Sequence, residues 1–84
     1  MSDESEINRL LHDLSSRYAI PRRKAINALV EIGAPAVPGL IARLNDKNPE
    51  ARKAAAEALE HIATPEALAA VAHWREKMGD DANV

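Results

Sequence analysis

Residues 22–44 of this 84-residue chain recur thirty positions later, at 52–74, and that period constrains the fold more than any single residue does. At this offset Arg22 falls on Arg52, Ala25 on Ala55, Ala28 on Ala58, Leu29 on Leu59, Ile32 on Ile62, Pro35 on Pro65 and Ala42 on Ala72. A second step of the same length lays Ile7, Leu10, Leu11 and Leu14 on Val37, Leu40, Ile41 and Leu44, so half a unit precedes the first full one. A fixed period of this length means that each unit is one supersecondary element. It cannot bury its apolar side alone and must stack on its neighbours.

The matched positions are those of helix cores and helix starts. Seventeen residues are alanine, Phe is absent, and there is one Trp and one Tyr. Alanine is the strongest helix former, and with Leu, Glu, Lys and Arg it dominates the chain. The expectation is an all-α fold whose core is built from small side chains and closely approaching helices. A chain this short makes one domain and buries only about 60–65% of the surface that its unfolded form exposes.

Punctuation predicts five helices. Ser2 or Ser5 caps a leading helix over 5–18, with Ile7, Leu10, Leu11, Leu14 and Tyr18 at three-and-four spacing. Pro21 suits the first turn of a second helix, which turns Ala25, Ala28, Leu29 and Ile32 inward and stops at Gly33. Pro35 starts a third helix using Val37, Leu40, Ile41 and Leu44. Asn48 caps a fourth that begins at Pro49 and runs to about Ile62. Thr64-Pro65 starts the fifth, which reaches about Met78 before Gly79. The chain therefore divides into the leading helix, a first repeat over about 21–45, a second over about 49–78, and a flexible acidic tail over 79–84. Short loops between such helices force antiparallel neighbours, giving stacked helical hairpins.

With 11 basic and 13 acidic residues, the net charge of -2 offers no general attraction for polyanions or membranes. No cysteine is present, which removes disulfides, thiolate metal clusters and thiol nucleophiles. The start MSDESEINR has no charged region leading into an apolar stretch, and no apolar run approaches membrane-spanning length. We expect a soluble cytoplasmic protein.

The segments NPEARKAAAEALEHIATPEALAAV and GAPAVPGLIARLND resemble units of the HEAT-like repeat class, as found in phycobilin lyase subunits and bacterial scaffold proteins. The resemblance covers residues 5–76. It implies a right-handed α-solenoid of about two and a half hairpins, in which the second helix of each hairpin lines a concave face. It also implies an inter-repeat ladder between Asp46 in a turn and Arg52 in the next helix. Ser16 precedes Arg22 at the same spacing, so the ladder is expected to be incomplete there.

On that reading the contact candidates of the concave side are Arg9, His12, Asp13, Arg43, Ala69, His73 and Glu76, with Ser16 and Ala42 beside them. Leu68, Val71 and Trp74 are expected at an open C-terminal edge, where Trp74 replaces Leu44 at a core position. Such a tryptophan either packs the core or anchors a partner. His12, His61 and His73 fall on three helices without the paired spacing of a metal-binding helix, so neither metal nor cofactor is expected. Arg17, Arg22, Arg23 and Lys24 form the one basic cluster. At a helix N-terminus it calls for acidic neighbours, and nucleic-acid binding is disfavoured. No catalytic constellation is present. Three functions stay open: a non-enzymatic protein-binding scaffold or adaptor, an accessory subunit of a phycobilin lyase or phycobilisome-related factor, and a homodimer closed through the C-terminal edge.

Overall fold

A computed structural model describes residues 4–82, with side chains described for residues 4–77. Within these residues the fold is all-α: α1 (Glu4–Asp13), α2 (Ala19–Ile32), α3 (Val37–Arg43), α4 (Pro49–Ile62) and α5 (Pro65–Ala82), with a 3-10 turn at Ala34–Ala36 ahead of α3. Along the stack, α1 packs on α3 and α3 on α5, while α2 packs on α4. Two layers result, one of α1, α3 and α5, the other of α2 and α4. The molecule measures 39 × 29 × 17 Å. Its thin dimension matches two helix layers, since packed helix axes lie about 8–10 Å apart.

The repeat explains the core. Leu14, Leu29, Leu40, Leu59 and Val37 are fully buried, joined by Ala25, Ala36, Ala51, Ala55, Ala58 and Ala67. Leu14 and Leu44 are buried at equivalent positions of consecutive units, as are Leu29 and Leu59 in the last turns of α2 and α4. Alanines along α4, from Ala51 to Ala58, let this helix lie between α2 and α3 while α5 folds back on it. Each fully buried leucine contributes about 1.5–3 kcal/mol.

Helix ends repeat as well. Gly33 closes α2 at φ 77°, and its N–H donates to the Leu29 carbonyl at 3.0 Å. Thirty residues on, Ala63 closes α4 at φ 59° with the same bond to Leu59 at 2.9 Å. A left-handed alanine costs about 1 kcal/mol more than glycine would, and the cap bond together with the Thr64-Pro65 restart holds it there. Thr64 Oγ1 accepts from the Ala67 N–H at 3.1 Å, and Asn48 Oδ1 accepts from Glu50 N at 2.8 Å, so both predicted caps form.

Four boundaries differ from the sequence reading. The leading helix ends at Asp13 instead of 18, because Ser16 Oγ accepts from the Tyr18 N–H at 3.1 Å and turns the chain. Tyr18 is thereby the N-terminal flanking residue of α2, which starts at Ala19, two residues before Pro21. Ser5 lies inside α1 and does not cap it; Ser2 falls outside the described residues. Pro35 sits in the 3-10 turn, and Pro38 takes the first turn of α3, where a proline removes no helical bond. Finally, α5 passes through Gly79 to Ala82, so residues 79–82 are helix and not tail. A helical glycine costs only about 1 kcal/mol and does not by itself end a helix. Residues 83–84 lie outside the described residues.

The second-helix layer closes over Gly39. A Cβ built there would lie 2.4 Å from Leu11 Cδ1, and Leu11 is itself packed into the core. Overpacking costs about 1–3 kcal/mol. Gly39→Val is therefore expected to lower stability by about 2 kcal/mol, with the loss partly recovered on adding Leu11→Ala, as read from urea midpoints of the double-mutant cycle.

Candidate protein-docking site

The turns that join the units share two features of their chemistry, a side-chain oxygen that accepts from the backbone two residues on and an arginine that holds a turn carbonyl. In the turn before α4, Asp46 Oδ1 accepts from the Asn48 N–H at 2.9 Å, and Arg52 donates to the main-chain carbonyls of Asp46 at 2.8 Å and Lys47 at 3.1 Å. In the turn before α2, Ser16 Oγ accepts from the Tyr18 N–H, and Arg22 donates to the Ser16 carbonyl at 2.8 Å. The arginine thus grips the backbone, not the turn side chain. Arg22 needs no aspartate at position 16, and the expected gap in the ladder closes.

Between units the contacts are partly ionic. Asn48 Nδ2 donates to the Ser15 carbonyl at 3.2 Å, Arg22 approaches Glu50 at 3.7 Å, and Arg23 forms a two-pronged pair with Glu57, one arm at 3.2 Å. These are the acidic neighbours that the basic cluster called for. Arg75 pairs with Glu60 at 2.7 Å and ties α5 to α4.

Two carboxylates feel these bonds. The Asn48 N–H and then Arg43, paired at 2.9 Å, hold Asp46 below the ordinary carboxylate range. The hydrogen bond and charge of Arg23, with a smaller effect of His61, hold Glu57 low against the opposing effect of burial. A carboxylate with a depressed folded-state pKa gives stability that is complete above its unfolded value of about 4 and lost as pH falls through the folded one. Thermal stability is expected to drop on acidification below about pH 4, and a D46N/E57Q variant is expected to show a shallower drop in a melting series across that window.

The sequence candidates divide into three groups. Arg9 and His12 are exposed on α1, and Asp13 is half-buried at its end, where its carbonyl accepts from the Ser16 N–H. Arg43 is half-buried at the end of α3, engaged with Asp46. On α5, Leu68 is 47% exposed, and Ala69, His73 and Glu76 are also exposed. Helix α3 lies between the first group and the last. The grouping of Leu68, Val71 and Trp74 as one open edge is corrected: Val71 is 2% exposed and belongs to the core, and Trp74 packs partly against that core.

What the structure does bring together is a cleft between α3 and α5, about 120 Å³, lined by Ile41, Leu44 and Asn45 on one wall and Ala70, His73, Trp74 and Lys77 on the other. Its origin is legible in the repeat. Where α3 carries Leu40, α5 carries Ala70; where α3 carries Leu44, α5 carries Trp74. The small residue opens a gap and the large one walls it. Trp74 lines this cleft, and its indole Nε1 is buried from solvent and has no hydrogen-bond partner among the described residues. A buried donor without a partner costs about 1–3 kcal/mol. The cleft is smaller than the ~300 Å³ at which small-molecule pockets begin, and of a size for one side chain.

His73 and His12 are solvent-facing, and His61 lies 4.0 Å from Glu57. No set of three His, Cys, Asp or Glu among the described residues is placed to hold a metal ion. No single helix among the described residues is long and apolar enough to cross a membrane. Neither a curated protein nor a solved structure matches the chain. The family model for HEAT repeats does match, over residues 7–82. The two-layer stack, the thirty-residue period and that match agree: the chain belongs to the HEAT repeat family.

Proposed function

We propose that this chain is a small non-catalytic scaffold or adaptor that docks a protein partner on the layer formed by α1, α3 and α5, with the α3–α5 cleft as its anchor point. One observation carries the reading: Trp74 lines a side-chain-sized, largely apolar cleft between α3 and α5. Tryptophans at such clefts carry a disproportionate share of binding energy through the apolar area they offer a partner. Arg9, His12, Arg43, His73 and Glu76 then supply the polar rim of that layer, which contributes specificity more than affinity, and Leu68 and Ala69 add exposed apolar surface on α5. HEAT repeats generally mediate protein–protein interaction, which agrees with this assignment. The accessory-subunit reading draws no support from the cleft, whose volume suits a side chain better than a chromophore.

The test is affinity capture from the native organism with the wild-type chain beside a Trp74→Ala and an Arg9→Glu/Arg43→Glu variant, identified by mass spectrometry. One stoichiometric protein, lost with Trp74→Ala and weakened with the charge variant, is the expected result. Recovery of bait alone, or of a pigment or nucleic acid, overturns it.

A further inference from the structure

The second unit shows what one face of α2 is built to receive. On α4, the residues turned toward the preceding unit are Asn48, Glu50, Ala51, Ala54, Glu57 and Ala58. The three alanines are buried, and the other three bond to Ser15, Arg22 and Arg23. The helix that covers this face is α2. Thirty residues earlier the same face of α2 reads Tyr18, Ile20, Pro21, Lys24, Asn27 and Ala28. No helix among the described residues covers it: Pro21, Lys24 and Asn27 are exposed, Ile20 is 71% exposed and Tyr18 64% exposed.

A face that only had to meet water would be more polar than its covered counterpart in the next unit. Here the exchange at the rim runs the other way. Asn48 becomes Tyr18 and Glu50 becomes Ile20, two polar contacts replaced by the two most exposed large apolar side chains of the described residues. At the centre, the small buried Ala54 becomes Lys24. Beside these residues a shallow groove of about 390 Å³ runs along the start of α2, lined by Ala19, Ile20, Arg22, Arg23, Lys24 and Ile26. Arg22 and Arg23 are paired with Glu50 and Glu57, whereas Lys24 makes no ion pair among the described residues. On the far face of α4 the exchange is toward polarity: Val30 becomes Glu60, tied to Arg75.

We propose that this face of α2 is a second docking surface, distinct from the α3–α5 cleft, and that its occupant is an amphipathic helix of a partner protein. That helix sets apolar side chains on Tyr18 and Ile20 and a carboxylate on Lys24. Its helical form follows from what covers the equivalent face of α4, its apolar stripe from the two exchanges at the rim, and its acidic charge from the uncompensated lysine. A second copy of this chain fits less well, because it would bring its own Lys24 and the adjoining Arg17 to the same face, like charge toward like.

The probes are two synthetic amphipathic helices of about 20 residues, alike in their leucine stripe and carrying either glutamates or lysines beside it. Heteronuclear NMR of the intact chain follows backbone amides during titration. The glutamate helix is expected to shift residues 17–28, the lysine helix to bind at least about tenfold more weakly, and Ile20→Glu and Lys24→Glu each to weaken the glutamate helix by about tenfold. Trp74→Phe is expected to leave this titration unchanged. Both positions are exposed, so melting curves of the two variants should match the parent chain. Equal binding of the two probes, shifts confined to α3 and α5, or no shifts overturn the proposal. So does a concentration-dependent dimer abolished by Ile20→Glu, which would give the face to a second copy.

Discussion

Replacing Leu59 with alanine is expected to lower stability by about 3 kcal/mol, the largest effect of any single truncation in this chain. Leu59 is completely buried in the last turn of α4, and α4 is the helix on which α2, α3 and α5 all pack. The loss combines the missing methyl groups with a cavity that the surrounding alanines are too small to fill. A domain of this length has about 4–12 kcal/mol in total, so the variant would sit near the threshold of folding. The melting temperature is expected to fall by at least about 12 °C, and the urea midpoint to drop with little change in slope. Leu68→Ala, on the exposed side of α5, is the control, and its effect should stay within about 1 kcal/mol. Equal effects at the two positions would contradict the burial pattern and with it the assignment of α4 as the centre of the stack.

The second large effect concerns Trp74, where stability and binding are expected to move apart. Trp74→Ala removes a ring that packs on the core as well as a wall of the cleft, so both properties fall. Trp74→Phe keeps most of the apolar bulk and removes the indole donor together with two ring carbons. Since that donor is buried without a partner in the free chain, its removal should leave thermal stability unchanged or raise it by up to about 1 kcal/mol. Affinity for the partner captured by the wild-type chain should nonetheless fall by about tenfold, because the smaller ring no longer completes the wall of the cleft. Parallel measurement by thermal melting and titration calorimetry decides the matter. A phenylalanine variant that binds as tightly as the parent would show that the indole plays no part in docking.

Much of this architecture is legible in the residues because local and long-range signals coincide. Asn48-Pro49 combines a side-chain cap with a proline at the first helical position, and α4 starts there. The end of α1 was harder to see: Leu11, Leu14 and Tyr18 keep helical spacing across a turn that is not helical. Only Ser16, read as the counterpart of Asp46, betrays the break, and a serine by itself is too common to count as a signal. Gly79 misleads in the opposite sense, since a glycine ends a helix only where the backbone turns left-handed. Ala63 does turn left-handed, though nothing in its chemistry announces it.

The candidate site was less legible for a geometrical reason. Trp74 stands out as an aromatic at a core position, yet whether it is core or anchor depends on the gap left by Ala70 and on Ile41 and Leu44 across it. Those residues look like ordinary core positions until the separation of α3 and α5 is known. Val71, grouped with Trp74 by proximity in sequence, points into the protein instead.

The arginine that opens each full unit holds carbonyl oxygens of the turn before it, and every residue type supplies those. A gene segment encoding such a unit can therefore be duplicated and its turn residue allowed to drift, aspartate in one copy and serine in another, without the copies losing their fit. Lengthening the array demands little of the new sequence beyond one retained arginine and a small-residue stripe. In this chain the thirty-residue interval holds across the two units even where the turn residue differs, Ser16 in one and Asp46 in the other.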